Sequence, residues 1–162
     1  MIYLLDVNAL LALGFAKHIH HRRVWRWLEF VRCVETEPVS VASCSITEIG
    51  FLRIASGGAA LAKNLIEAKT ALVELKRTEK IQFIPDGVAG ENLPQWVSRS
   101  THITDGHLLQ LACVCGARLA TLAAGIPGAD LITDALQARD SVQPEPYGSY
   151  AGRARSMSSA TR

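Results

Sequence analysis

Short apolar runs alternate with segments of helical spacing, and this alternation limits the possible folds more than any other feature of the chain. Ile2-Tyr3-Leu4-Leu5, Val39-Ser40-Val41-Ala42, Ile81 to Ile84 and Arg118 to Leu122 read as strands, with a fifth at Ala129 to Thr133. Uninterrupted runs of this kind mark strands buried on both faces of a parallel sheet. Val7 to Leu13 reads as a helix, and His18 to Cys33 carries Val24, Leu28 and Val31 on one stripe beside Trp25 and Trp27. Ser45 or Thr47 is expected to cap a helix through Ala55, broken at Gly57-Gly58. A longer helix follows, with Leu61, Leu65, Ala68, Leu72 and Leu75 on one face and Lys63 four residues before Glu67 on the other. Pro85-Asp86-Gly87 stops the third strand, and Gly90 to Ser100 reads as a short helix around Trp96 despite Pro94. Thr104 is the N-cap candidate of a last helix with Leu108, Leu111, Ala112 and Cys115 on one face and Gly116 at its end. Strands alternating with helices imply an α/β fold, a mainly parallel four- or five-stranded sheet with helices on both faces.

At 162 residues, 49% hydrophobic and 20% charged, the chain has the size and composition of one soluble domain. Its net charge of +2 neither demands nor excludes a nucleic-acid partner. Cys33, Cys44, Cys113 and Cys115 form no C-x-x-C and read as buried free thiols of a reducing compartment. No run reaches the ~18 apolar residues of a membrane span, and the basic cluster Lys17 to Arg23 follows the apolar start instead of preceding it as in a secretory signal. A cytoplasmic location is expected. Residues 135–162 read as a C-terminal extension, flexible from about residue 143, where Pro, Gly, Ser and Arg residues cannot bury enough apolar surface to order themselves.

Three carboxylates carry the chemistry. Asp6 falls where the first strand should end, Glu48 lies early in the helix after the second, and Asp105 early in the helix leading into the fourth. In a doubly wound sheet these places open onto one edge, where ligands bind. Carboxylates gathered there repel one another and raise each other's pKa unless a divalent cation compensates, and oxygen ligands suit Mg²⁺ or Mn²⁺. Such an ion readies a water for attack on a phosphodiester. Taken singly, Asp6 and Asp105 also read as helix-end residues, and Glu48 as a surface position.

The segments Leu4-Leu5-Asp6-Val7-Asn8, Thr47-Glu48-Ile49-Gly50-Phe51-Leu52-Arg53, Thr104-Asp105-Gly106-His107-Leu108 and Gly116-Ala117-Arg118-Leu119-Ala120-Thr121-Leu122 resemble, in order, the motifs of PIN-domain ribonucleases. They are most similar to the VapC toxins of type II toxin–antitoxin pairs, over roughly residues 1 to 134. The resemblance implies a three-layer α/β/α sandwich, Mg²⁺- or Mn²⁺-dependent endoribonuclease activity, and a small VapB-like antitoxin that blocks the site. It also implies that Asp6, Glu48 and Asp105 are the catalytic, metal-holding acids, with Asn8 their polar neighbour. The family's fourth acid is missing: Thr121-Leu122-Ala123 stands where Thr-Leu-Asp is usual. Thr121 keeps a hydroxyl there, but Ala123 cannot hold a cation. The alternative to a working nuclease is therefore a weakened or inactive PIN domain that binds antitoxin or RNA.

Arg53, His107, Arg22 and Arg23 are the substrate-binding candidates, and His18, His20 and His21 extend the basic stretch at the start of their helix. A zinc site at His102 and His107 lacks supporting spacing. Trp25, Trp27 and Trp96 read as core or interface residues, and Arg153, Arg155 and Arg162 as tail charges with weak affinity for RNA. A signalling receiver would need a lysine near the last strand, and none follows Lys80. G-x-G-x-x-G and G-x-x-x-x-G-K-[ST] are both absent, against a nucleotide-binding protein. Homodimerisation is an expectation from the family alone.

Overall fold

The computed structural model describes residues 1–57 and 61–134. Five strands form one sheet: β1 (Ile2–Leu5), β2 (Ser40–Cys44), β3 (Gln82–Ile84), β4 (Arg118–Thr121) and β5 (Asp130–Leu131). Their order is β3-β2-β1-β4-β5, and every pairing is parallel. The helices are α1 (Val7–Gly14), α2 (His21–Val34), α3 (Ser45–Ala55), α4 (Leu65–Glu79) and α5 (Ile103–Val114).

Alternation along each strand divides the core in two. Tyr3, Leu5, Val41 and Ala120 join the apolar residues of α1 to α4 on one face, whereas Leu4, Ala42, Cys44 and Leu119 meet Leu108, Leu111 and Ala112 of α5 on the other. This is the expected three-layer α/β/α sandwich. On α2 the predicted stripe is buried as Val24, Leu28 and Val31, joined by Trp27, whose ring meets Tyr3 edge-on. Among the described residues no helix is long and apolar enough to cross a membrane.

Several local expectations are corrected. Neither Ser45 nor Thr47 is the N-cap of α3: Cys44 holds that position, and Thr47 Oγ1 reaches back to accept its backbone N–H at 2.9 Å. α4 starts at Leu65 under an Asn64 cap, so Leu61 and Lys63 precede the helix; the Lys63 backbone N–H, not its ammonium, meets Glu67. No helix forms around Trp96. Pro94 interrupts the segment, leaving single 3₁₀ turns at Gly90–Asn92 and Ser100–His102. α5 begins one residue before Thr104, with His102 at its N-cap. Its buried face ends at Ala112; Cys115 is the exposed C-cap residue, followed by Gly116 at φ +66°. All four cysteines are free, but only Cys44 is buried. The predicted extension and its arginines lie outside the described residues.

Candidate active site at the switch point of the sheet

Connections from β1 run one way to β2 and β3, and the chain then crosses back to β4 and β5, so β1 and β4 flank the topological switch point. Ligand sites of doubly wound sheets lie in that crevice, beyond the carboxyl ends of the strands. Asp6 is the first residue after β1. Its Oδ1 accepts the Ala9 N–H and caps α1, while its Oδ2 accepts the Thr121 hydroxyl from the end of β4. Thr121 Oγ1 in turn accepts the Ala123 N–H at 2.9 Å. The hydrogen bond between Asp6 and Thr121 thus fastens the two sides of the crevice together.

The Asp6 carboxylate is 5% exposed. Burial pushes its pKa up; the Thr121 hydroxyl and the Ala9 amide pull it down, and the charge of Asp105 raises it again. Asp105, half-buried in the first turn of α5, is also raised by desolvation, with His102 acting in the opposite direction. Gly106 lets the segment around Val97 pack against this turn: a Cβ there would lie 2.3 Å from Val97 Cγ2. Asp6 and Asp105 are therefore brought together as two desolvated acids. Among the described residues, no lysine or arginine forms an ion pair with either.

Glu48 is handled differently. Its Oε1 accepts the Ser43 hydroxyl at 2.7 Å and pairs with the Lys76 ammonium from α4, which also lies 5.2 Å from the centre of the Phe83 ring. Among the described residues, no group of three or more His, Cys, Asp or Glu is placed to share a metal ion. The single three-acid pocket expected from the sequence is thus resolved into an aspartate pair and a separately neutralised glutamate.

The remaining candidates separate as well. Asn8 and Ala123 line a cavity of about 330 Å³ together with His18, Ile19, His20 and Leu122. Exposed Arg53 borders a second cavity, about 270 Å³, with Val7, Ile46, Ile49, Gly50 and Thr104. His107 is engaged elsewhere, its Nε2 lying 2.9 and 3.0 Å from the Asp86 carboxylate oxygens. Arg23 sits 3.6 Å from Asp134, and Arg22 is exposed. Sequence reading missed Ser43 and Lys76. Nothing in the spacing of the chain ties position 76 to position 48.

No family model matches the chain. Against curated proteins, it is 36% identical over 127 residues to ribonuclease VapC38 of Mycobacterium tuberculosis, covering 76% of this chain and 86% of that protein. The chain belongs to the VapC ribonuclease family. It is also 33% identical over 135 residues to ribonuclease VapC39 of the same organism, with 78% and 91% covered. A third VapC relative there, ribonuclease VapC29, is 31% identical over 131 residues, with 78% and 89% covered. In fold, the chain matches a VapBC2 crystal structure from Rickettsia felis, bound to a DNA fragment from their promoter, with a TM-score of 0.55. That match is 18% identical and covers 81% of this chain and 97% of the other, so it bears on the fold alone.

Proposed function

We propose that the chain is a metal-dependent endoribonuclease acting as the toxin of a type II toxin–antitoxin pair. The observation that carries this reading is the pair Asp6 and Asp105, two desolvated acids at the switch point with raised pKa values and no lysine or arginine ion pair among the described residues. Such a pair fits a hard cation. Mg²⁺ is commonly held by one or two carboxylates, with waters and substrate phosphate completing its shell, and so needs no third protein ligand. Asp6 and Asp105 would hold Mg²⁺ or Mn²⁺, with Glu48 acting through water. A bound ion supplies positive charge that readies a water for attack and stabilises the leaving oxygen of an RNA phosphodiester.

The side chains divide the remaining work. Thr121 and the Ala9 amide fix the Asp6 carboxylate so that neither oxygen swings. Lys76 and Ser43 hold Glu48 by one oxygen and leave the other free to accept a proton from water. Arg22 and Arg53 are exposed and are assigned to RNA phosphates. Arg23 and His107 would have to leave Asp134 and Asp86 to do the same.

The name ribonuclease shared by the relatives favours cutting over a binding-only domain, despite Ala123. A VapB-like antitoxin, named with its toxin in the VapBC2 structure, is the partner assigned here, and a second copy of the chain is the other. The four free thiols suit a reducing cytoplasm. Purified chain incubated with single-stranded RNA and Mn²⁺ should produce discrete internal cuts that EDTA stops. Intact RNA under both conditions would refute the proposal.

A further inference from the structure

We infer that the cavity beside Ala123 is a phosphate-receiving subsite, in which His18 and His20 hold an RNA phosphodiester next to the one being cut. The inference rests on the ribonuclease reading above. The cavity lies on the flank of the switch point where the family's fourth acid is usual, and its walls are Asn8, His18, Ile19, His20, Leu122 and Ala123. With alanine in that position, no carboxylate lines it. Its polar groups are one amide and two imidazoles, which can donate hydrogen bonds to an anion but do not form an oxygen cage for a second hard cation.

The imidazoles are arranged for that role. The His20 backbone N–H donates to His18 Nδ1 at 3.2 Å, so the neutral ring carries its proton on Nε2. Burial, then the neighbouring His20 and His21, lower the His18 pKa, favouring this neutral donor. His20 occupies the N-cap of α2 without making a capping hydrogen bond, so its ring is not committed to the helix. The two rings stand 5.8 Å apart. The first turn of α2 reads His21, Arg22, Arg23 with no acid, placing basic residues at the positive end of a helix dipole. A phosphate relieves that arrangement. Ile19, 87% exposed between the two histidines, offers an apolar surface for the adjoining base.

The test uses the full chain and a labelled, mixed-sequence single-stranded RNA decamer, with affinity read by fluorescence anisotropy in EDTA and KM and kcat read with Mn²⁺. His18→Ala/His20→Ala should raise Kd and KM about tenfold, the effect of losing hydrogen bonds to a charged group, with the loss falling on KM and not kcat. His18→Gln/His20→Gln, which keeps an N–H donor at each position, should recover part of the affinity. Unchanged Kd and KM in the alanine pair, with wild-type chain cutting normally, would overturn the inference and leave the ribonuclease reading intact. A wild-type chain that neither binds nor cuts RNA would sink both. Should the alanine pair lower Tm, Ala123→Asp decides: a carboxylate in the wall should weaken RNA binding in EDTA about tenfold, and no change would overturn the subsite.

Discussion

Asp6 and Glu48 follow neighbouring strands of one sheet, yet their charges are met in opposite ways. Around Asp6 the donors are neutral, a threonine hydroxyl and backbone amides, and the charge that acts on it is that of another acid, Asp105. Around Glu48 the fold supplies its own cation, Lys76, from a helix 28 residues further along. The β2 side of the site is thus balanced within the chain, and the β1/β4 side is left short of positive charge. A buried charge without a partner is costly, so on the function proposed above this asymmetry singles out Asp6 and Asp105, not Glu48, as the acids that would call for a metal ion. The carboxylates are alike in chemistry and differ in who neutralises them.

The largest expected effect breaks the uncompensated side. Asp6→Asn keeps the helix cap and the acceptor for Ala9 but removes the charge and, with it, the acceptor for the Thr121 hydroxyl. Initial rates with Mn²⁺ should fall at least about a hundredfold. Rates equal to the wild type would remove Asp6 from the metal-holding acids. Next, Mn²⁺ at about a hundred times its Kd should stabilise the wild type by about 2.7 kcal/mol, seen as a rise of about 5–10 °C in Tm, and Asp105→Asn should lose most of it.

The metal-free chain should also show the sign of the two raised aspartates. Their stabilising contribution is fully present below the ordinary aspartate value of about 3.9 and is lost as pH rises through the raised native values. Melting curves across that range, with and without Mn²⁺, read this slope and its removal. Ala123→Asp should tighten Mn²⁺ about tenfold and speed cleavage at limiting Mn²⁺ and saturating RNA; equal rates would remove position 123 from the metal's surroundings. The smallest effect sharpens the comparison from its balanced side. Lys76→Ala leaves Glu48 unpaired, and because the ion pair is partly exposed its loss should change Mn²⁺ affinity only about two- to fivefold, towards tighter binding. Calorimetry reads that shift.

Much of this architecture can be read from the residues alone. Ile2 to Leu5 with Asp6 behind it, the stripe of α2, and the alternation of strand and helix point to a parallel sheet with an acid at its edge, because burial on two faces leaves a continuous apolar run. What escapes is whatever depends on partners distant along the chain. Lys76 reads as one more charge on the polar side of α4, and only the packing of α3 against α4 takes it to Glu48. The start of α5 is misplaced because Thr104 has the chemistry of a cap, whereas the preceding 3₁₀ turn leads the chain into the helix at Ile103. Trp96 looks like the centre of a helix, but Pro94 prevents one. His107 sits beside Asp105 in the sequence, but its ring is held by Asp86 beyond the end of β3.

The bond between Thr121 and Asp6 spans 115 positions. A ribosome therefore delivers one wall of the crevice well before the facing wall, which waits for β4 to emerge. A chain still being synthesised carries Asp6 with no threonine to fix it and no finished crevice. The same separation leaves the crevice incomplete until β4, late in the folded region, has been made.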